Sequence, residues 1–121
     1  MGVFINLSNH PSNAWSKEQY EAASEYGEVV DIPFPQIEAS SSEEDIENLV
    51  EEYYPKVMQY DSPTVMVQGE FSFTYRMVST LKESGIKVLT SCADRIVKES
   101  RNADGSTNRM SLFKFVRFRE Y

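Results

Sequence analysis

Thr64-Val65-Met66-Val67-Gln68-Gly69-Glu70-Phe71-Ser72-Phe73 decides the fold. The first four residues form a short apolar run rich in β-branched side chains, which reads as a buried strand stopping at Gln68-Gly69-Glu70. Ser72 can cap a helix whose apolar face holds Phe73, Met77, Val78 and Leu81 at helical spacing. Gly85 ends that helix, and Ile86-Lys87-Val88-Leu89 forms the next strand, leading to Thr90-Ser91-Cys92. A strand, a helix and a second strand on connections this short predict a parallel pair with a right-handed crossover.

The same alternation extends upstream. Val3-Phe4-Ile5-Asn6-Leu7 reads as a strand ending in Ser8-Asn9-His10-Pro11. Ser16 and Gln19 have the spacing of a capping box, Trp15 and Tyr20 that of a hydrophobic staple, and Gly27 closes the helix they begin. Val29-Val30-Asp31-Ile32 is a second strand, stopped by Pro33-Phe34-Pro35. Ser40-Ser41-Ser42 and Glu43-Glu44-Asp45 suit a helix N-terminus, and Ile46, Leu49, Val50, Tyr53 and Val57 then repeat at helical spacing. Pro55 inside that pattern predicts a kink or a break.

Downstream the character changes. Arg95 to Glu99 and Ser111 to Arg119 flank a polar stretch containing the turn dipeptide Asp104-Gly105. They predict an antiparallel hairpin with residues 100–109 as a mobile tip. The expected fold is α/β and Rossmann-like: a mainly parallel four-stranded sheet flanked by helices, with a C-terminal antiparallel β-hairpin. A chain of 121 residues without an internal repeat makes this a single domain, 1–121.

Composition narrows the function classes. No run approaches the ~18 apolar residues of a membrane span, and the N-terminus lacks the basic and apolar regions of a signal peptide, so a cytoplasmic protein is expected. The single cysteine, Cys92, excludes an internal disulfide and a Cys-rich zinc site. Neither GxGxxG nor GxxxxGK[ST] occurs, which argues against ordinary dinucleotide and triphosphate enzymes; no cofactor or metal is expected. Residues 1–70 hold 14 acidic and 2 basic side chains, whereas residues 71–121 hold 10 basic and 5 acidic. The overall charge of −7 makes duplex nucleic acid a poor partner. The basic half can surround a small anion, face the acidic half of a second subunit, or simply balance the acidic helices within one fold.

In open α/β sheets ligands bind beyond the carboxyl ends of the strands. That rule selects three loops: Ser8 to His10, Gln68 to Ser72, and Ser91 to Arg95. Gly69 lets a ligand approach the backbone or merely makes the turn; the helix behind it presents N–H groups suited to phosphate. His10, the only histidine, can move a proton or satisfy local hydrogen bonds. Arg95, supported by Arg76, can grip a phosphate through parallel hydrogen bonds or pair with a surface carboxylate. Tyr75, close to a helix start, can stack on a base. Glu70 and Asp94 at adjacent strand ends can approach each other, although nothing in their spacing requires a metal.

The order of these pieces resembles the small Rossmann-like proteins of type III CRISPR systems, including the ring nucleases and their CARF-domain relatives. The resemblance is carried by Asn6-Leu7-Ser8-Asn9-His10-Pro11, by Val67-Gln68-Gly69-Glu70, by Ser91 to Arg95, and by Phe115-Val116-Arg117-Phe118-Arg119-Glu120-Tyr121. It implies a homodimer that binds a cyclic oligoadenylate across its two-fold axis and linearises it without metal, the ribose 2′-hydroxyl attacking the adjacent phosphate. His10 and Arg95 would then be catalytic. Ser8, Asn9, Gln68, Gly69, Glu70, Ser72, Tyr75 and Ser91 would hold the ligand. The same fold also suits a protein that senses or sequesters the nucleotide without cutting it, or an interaction module built on the acidic helices.

Overall fold

Each strand of the parallel core lies beside a neighbour reached through a helix, and the ladders show the order in which they were laid down. A computed structural model describes residues 2–121. In it β1 (Val3–Ser8), α1 (Lys17–Ser24), β2 (Glu28–Asp31), α2 (Glu43–Met58), β3 (Pro63–Gln68), α3 (Phe71–Glu83), β4 (Lys87–Arg101) and β5 (Thr107–Glu120) follow one another, with a single 3-10 turn at Ser12–Ala14. The sheet is five-stranded, in the order β2-β1-β3-β4-β5. β1 pairs in parallel with both β2 and β3, and β3 pairs in parallel with β4. β4 and β5 are antiparallel.

The period-2 alternation of the strands sorts their side chains onto two faces. Ile5 and Leu7 of β1, Val65 and Val67 of β3 and Val88 of β4 meet Ile46, Val50 and Val57 of α2 and Phe73, Met77 and Leu81 of α3. Phe4, Met66 and Leu89 point the other way, where Ala23 of α1, Trp15 and Phe118 of β5 cover them. Phe4 anchors this second layer, with ring centroids 5.0 Å from Phe118 and 6.1 Å from Trp15. Strands buried on both faces by helices explain the near-continuous apolar runs in their sequences.

Most helix ends follow their sequence signals. Ser42 and Asp45 form a reciprocal capping box on α2. After α3, Gly85 takes φ +78°, its N–H donates to Lys82 O and the Ile86 N–H donates to Leu81 O, the paired bonds of a Schellman end. At α1 only half of the expected box forms: Ser16 Oγ accepts from the Gln19 N–H. Trp15 and Tyr20 do meet, edge to face at 6.5 Å. The break expected at Pro55 is absent, because α2 runs through it to Met58. Pro55 lies three residues before the end of α2 and leaves only the Glu51 carbonyl without its i+4 N–H partner, so the helix continues.

The larger correction concerns the C-terminal third. Leu89 and Arg95 do not belong to separate strands joined by a loop. β4 is one strand of 15 residues that passes through Ser91 to Arg95, with a bulge between Cys92 and Ala93. The hairpin is therefore the continuation of β4 together with β5, which makes the sheet five-stranded and mixed. Its turn occupies residues 102–106, shorter than the tip expected at 100–109. Asn102 N–H donates to Ser106 O, and the Ser106 N–H and hydroxyl both donate to Asp104 Oδ1, closing a compact turn with Gly105 at φ +90°. No helix among the described residues is long and apolar enough to cross a membrane.

Candidate functional site

Strand order reverses at β1. From there the chain goes outward to β2 and then returns to β3 on the other side, so the crevice that open sheets use for ligands lies beyond the ends of β1 and β3. Two of the three expected loops border it: Ser8 to His10 and Gln68 to Ser72.

The first loop is tightly held by its own side chains. Asn6 is 1% exposed, and its amide donates to His10 O at 2.8 Å and to Asp31 Oδ1 at 3.0 Å. Ser8 Oγ lies 2.6 Å from Asn6 Oδ1 and accepts from the His10 N–H. The Asp31 carboxylate also accepts from the Ser12 N–H and hydroxyl, joining the end of β2 to the same cluster. These bonds satisfy a polar group buried at a strand end, which would otherwise cost about 1–3 kcal/mol. Ser8, expected to contact a ligand, is a loop clamp. Asn9 and His10 are exposed, and among the described residues neither side chain makes a hydrogen bond. Their donors and acceptors are available to solvent at the end of β1.

The second loop is also occupied by the chain itself. A side chain at Gly69 would overlap the ring of Phe34, so the close approach that glycine permits here is made by an internal aromatic. Phe34 in turn packs edge to face on Phe73 at 5.1 Å. Glu70, not Ser72, caps α3: its carboxylate accepts from the Phe73 N–H at 2.8 Å and from the Ser72 hydroxyl at 2.6 Å. These bonds, the Ser72 hydroxyl foremost, hold the Glu70 carboxyl below its ordinary range, with a smaller contribution from Arg76. The positive end of α3 thus already carries a negative group. Gln68 reaches across to β4, where its Oε1 accepts from the Ser91 N–H at 2.9 Å and the Thr90 hydroxyl at 3.0 Å.

The remaining expected residues part company. Arg95 stands in the hairpin beyond the bulge, about 13 Å of strand past Ser91, and donates to Ser111 Oγ. Tyr75 is 72% exposed on α3 and lines a groove against α2, away from the strand ends. Asp94 pairs with Lys114 in the hairpin ladder and forms no carboxylate pair with Glu70. No cluster of three or more His, Cys, Asp or Glu side chains suited to a metal occurs among the described residues.

What the sequence reasoning missed is the basic wall. Thr90 faces Arg119 across the β4–β5 ladder and Cys92 faces Arg117. Together with Ser91, Ala93, Val116 and the carboxylate-bearing Asp94 they line a hollow of about 460 Å³ next to the Gln68 anchor. The signal was present in the alternation Arg117-Phe118-Arg119, which places both guanidiniums opposite the buried Phe118. The end of β1 therefore offers an exposed imidazole and amide, and the hollow two guanidiniums with one carboxylate, Asp94. Such a set can bind an anion and move one proton.

The family model described as the Uncharacterized protein MJ1673 family matches residues 2–119, and the chain belongs to that family. No curated protein matches the chain.

Proposed function

We propose that this member of the MJ1673 family binds a cyclic oligonucleotide, a cyclic oligoadenylate, at the carboxyl ends of β1, β3 and β4 of a Rossmann-like domain, and linearises it without metal. The observation that supports the reading is the reversal of strand order beside β1, with Asn9 and His10 exposed after β1 and Gln68, at the end of β3, bonded to Thr90 and Ser91 of the hollow that Arg117 and Arg119 line. The ribose 2′-oxygen forms a bond to phosphorus while the bond to the 5′-oxygen breaks. The proton leaves the 2′-hydroxyl and ends on the 5′-oxygen, giving a 2′,3′-cyclic phosphate and a 5′-hydroxyl. His10 moves that proton, and Arg117 and Arg119 take over the phosphate-gripping role expected of Arg95. Asn9 and Gln68 orient the ribose. The resemblance adds a cytoplasmic homodimer with the ring on its two-fold axis.

Incubation with cyclic tri-, tetra- and hexa-adenylate in EDTA tests this. Because the reaction only rearranges bonds, ring and product have the same mass, and chromatography must separate them. Linear product is expected, with His10→Ala slowing its formation by about 10² or more. A second reading, binding without turnover, is favoured by the Glu70 cap, which already fills the helix N-terminus. It predicts a thermal shift and no product: a ligand at 100 times its Kd adds about 2.7 kcal/mol of stability. Absence of both product and shift overturns both readings.

A further inference from the structure

Beyond the bulge at Cys92 and Ala93 the β4–β5 pair leaves the body of the protein as a two-stranded arm. Residues that face each other across an antiparallel ladder share a face. One face of the arm thus carries Ile96 with Leu112 and Lys98 with Met110, followed by Asp94 with Lys114. Ile96, Leu112 and Met110 are 38%, 42% and 59% exposed, so this apolar stripe has no partner within the chain. A lone two-stranded ribbon is marginally stable in water. Between residues 93 and 117 it carries six basic and three acidic side chains.

A complementary surface exists on the same molecule. The groove of about 630 Å³ between α2 and α3 has Val50, Tyr54 and Tyr75 as its apolar floor and walls, with Glu47, Glu51 and Glu83 around them and one cation, Arg76. α2 alone holds six carboxylates and one lysine. Apolar stripe meets apolar floor, and Lys98 and Lys114 meet the glutamates. Within one chain the stripe stays exposed, so the groove of the same molecule does not cover it.

We propose that the arm of one copy docks in the α2–α3 groove of a second copy of this chain. Reciprocal exchange of arms closes a two-fold dimer, whereas one-way docking propagates a chain of molecules. The proposal stands independently of the nucleotide reading.

Sedimentation velocity of the whole chain at 50 mM and 500 mM salt tests it. Association is expected at low salt and weakening at high salt, since surface charge pairs are screened. The Lys98→Glu/Lys114→Glu variant and the Glu47→Lys/Glu51→Lys variant are each expected to weaken association tenfold or more, and an equimolar mixture of the two to restore it. All four positions are exposed, so circular dichroism should show unchanged folding. In a Cys92→Ser background, Met110→Cys and Glu51→Cys should form an intermolecular disulfide when mixed. A monomer at every salt and concentration overturns the proposal. So does association that neither charge reversal alters. An arm variant that loses binding to a duplex RNA or DNA probe while the chain stays monomeric also overturns it, in favour of nucleic acid.

Discussion

Val88 and Ile96 stand eight residues apart on one strand, yet the first is 1% exposed and the second 38%. Leu89 and Val97 differ in the same way, 3% against 39%. Both halves of β4 keep ladder hydrogen bonds, and both carry an adjacent apolar pair between polar residues, Val88-Leu89 and Ile96-Val97. The difference is what lies above and below. The body half is sandwiched between α3 and the layer under α1, while the arm half has water on both faces. Ladder pairing makes a strand; covering helices make it a core. The body thus owes its stability to burial, and the arm to hydrogen bonds and a good turn.

Mutations can separate the two halves. Phe73→Ala in the body removes a ring packed against Phe34 and Tyr53, and should cost about 3–5 kcal/mol in denaturant unfolding. Leu112→Ala on the arm should stay within about 1 kcal/mol of the parent at 500 mM salt, where docking is weakened. At 50 mM salt its loss should grow, because docking buries the stripe against a second copy.

Glycines give an intermediate contrast. Gly69→Ala forces Phe34 to shift and should destabilise by about 1–3 kcal/mol. Gly105→Ala meets open space and strains only the backbone at φ +90°, a cost of about 1–2 kcal/mol that falls on the arm's tip. Hydrogen exchange should show the loosening of Gly69→Ala throughout β1 and β3, and that of Gly105→Ala confined to residues 98–110.

A small effect is expected at Glu70. Glu70→Ala should cost about 1 kcal/mol at pH 7 through the lost cap. Since folding lowers the Glu70 pKa, its contribution is complete above the unfolded value and disappears as pH falls through the folded one. The gap between parent and variant should therefore stay constant above about pH 5 and narrow as pH falls below about 4. A gap that does not change with pH would assign the loss to packing.

Much of the body was legible because its strands are doubly buried and its helices carry local signals. The βαβ unit from Thr64 to Leu89, the box at Ser42–Asp45 and the Gly85 end all follow from neighbours in the chain. The continuity of β4 was not, since Thr90-Ser91-Cys92-Ala93-Asp94 is small, polar and turn-like by composition. What keeps it extended comes from elsewhere: the Gln68 side chain and the β5 ladder. Glu70 displaced Ser72 as cap because α3 starts at Phe71, which puts Glu70 at the N-cap, where its carboxylate accepts from the Phe73 N–H, and Ser72 inside the first turn. Of the site, His10 and Gln68 were readable as strand-end residues. Asn6 was hidden as the single polar residue of an apolar strand, and the Arg117–Arg119 wall depended on a register that only the folded sheet reveals.

The bulge between Cys92 and Ala93 has a mechanical consequence. From there to Arg101 the arm is a stiff ribbon about 26 Å long. Like a long-handled wrench turned at its jaw, it converts a rotation of about 10° at two residues into about 4–5 Å of travel at Asp104. The root of this lever is also the edge of the hollow beside Arg117, so whatever settles there sits at the fulcrum.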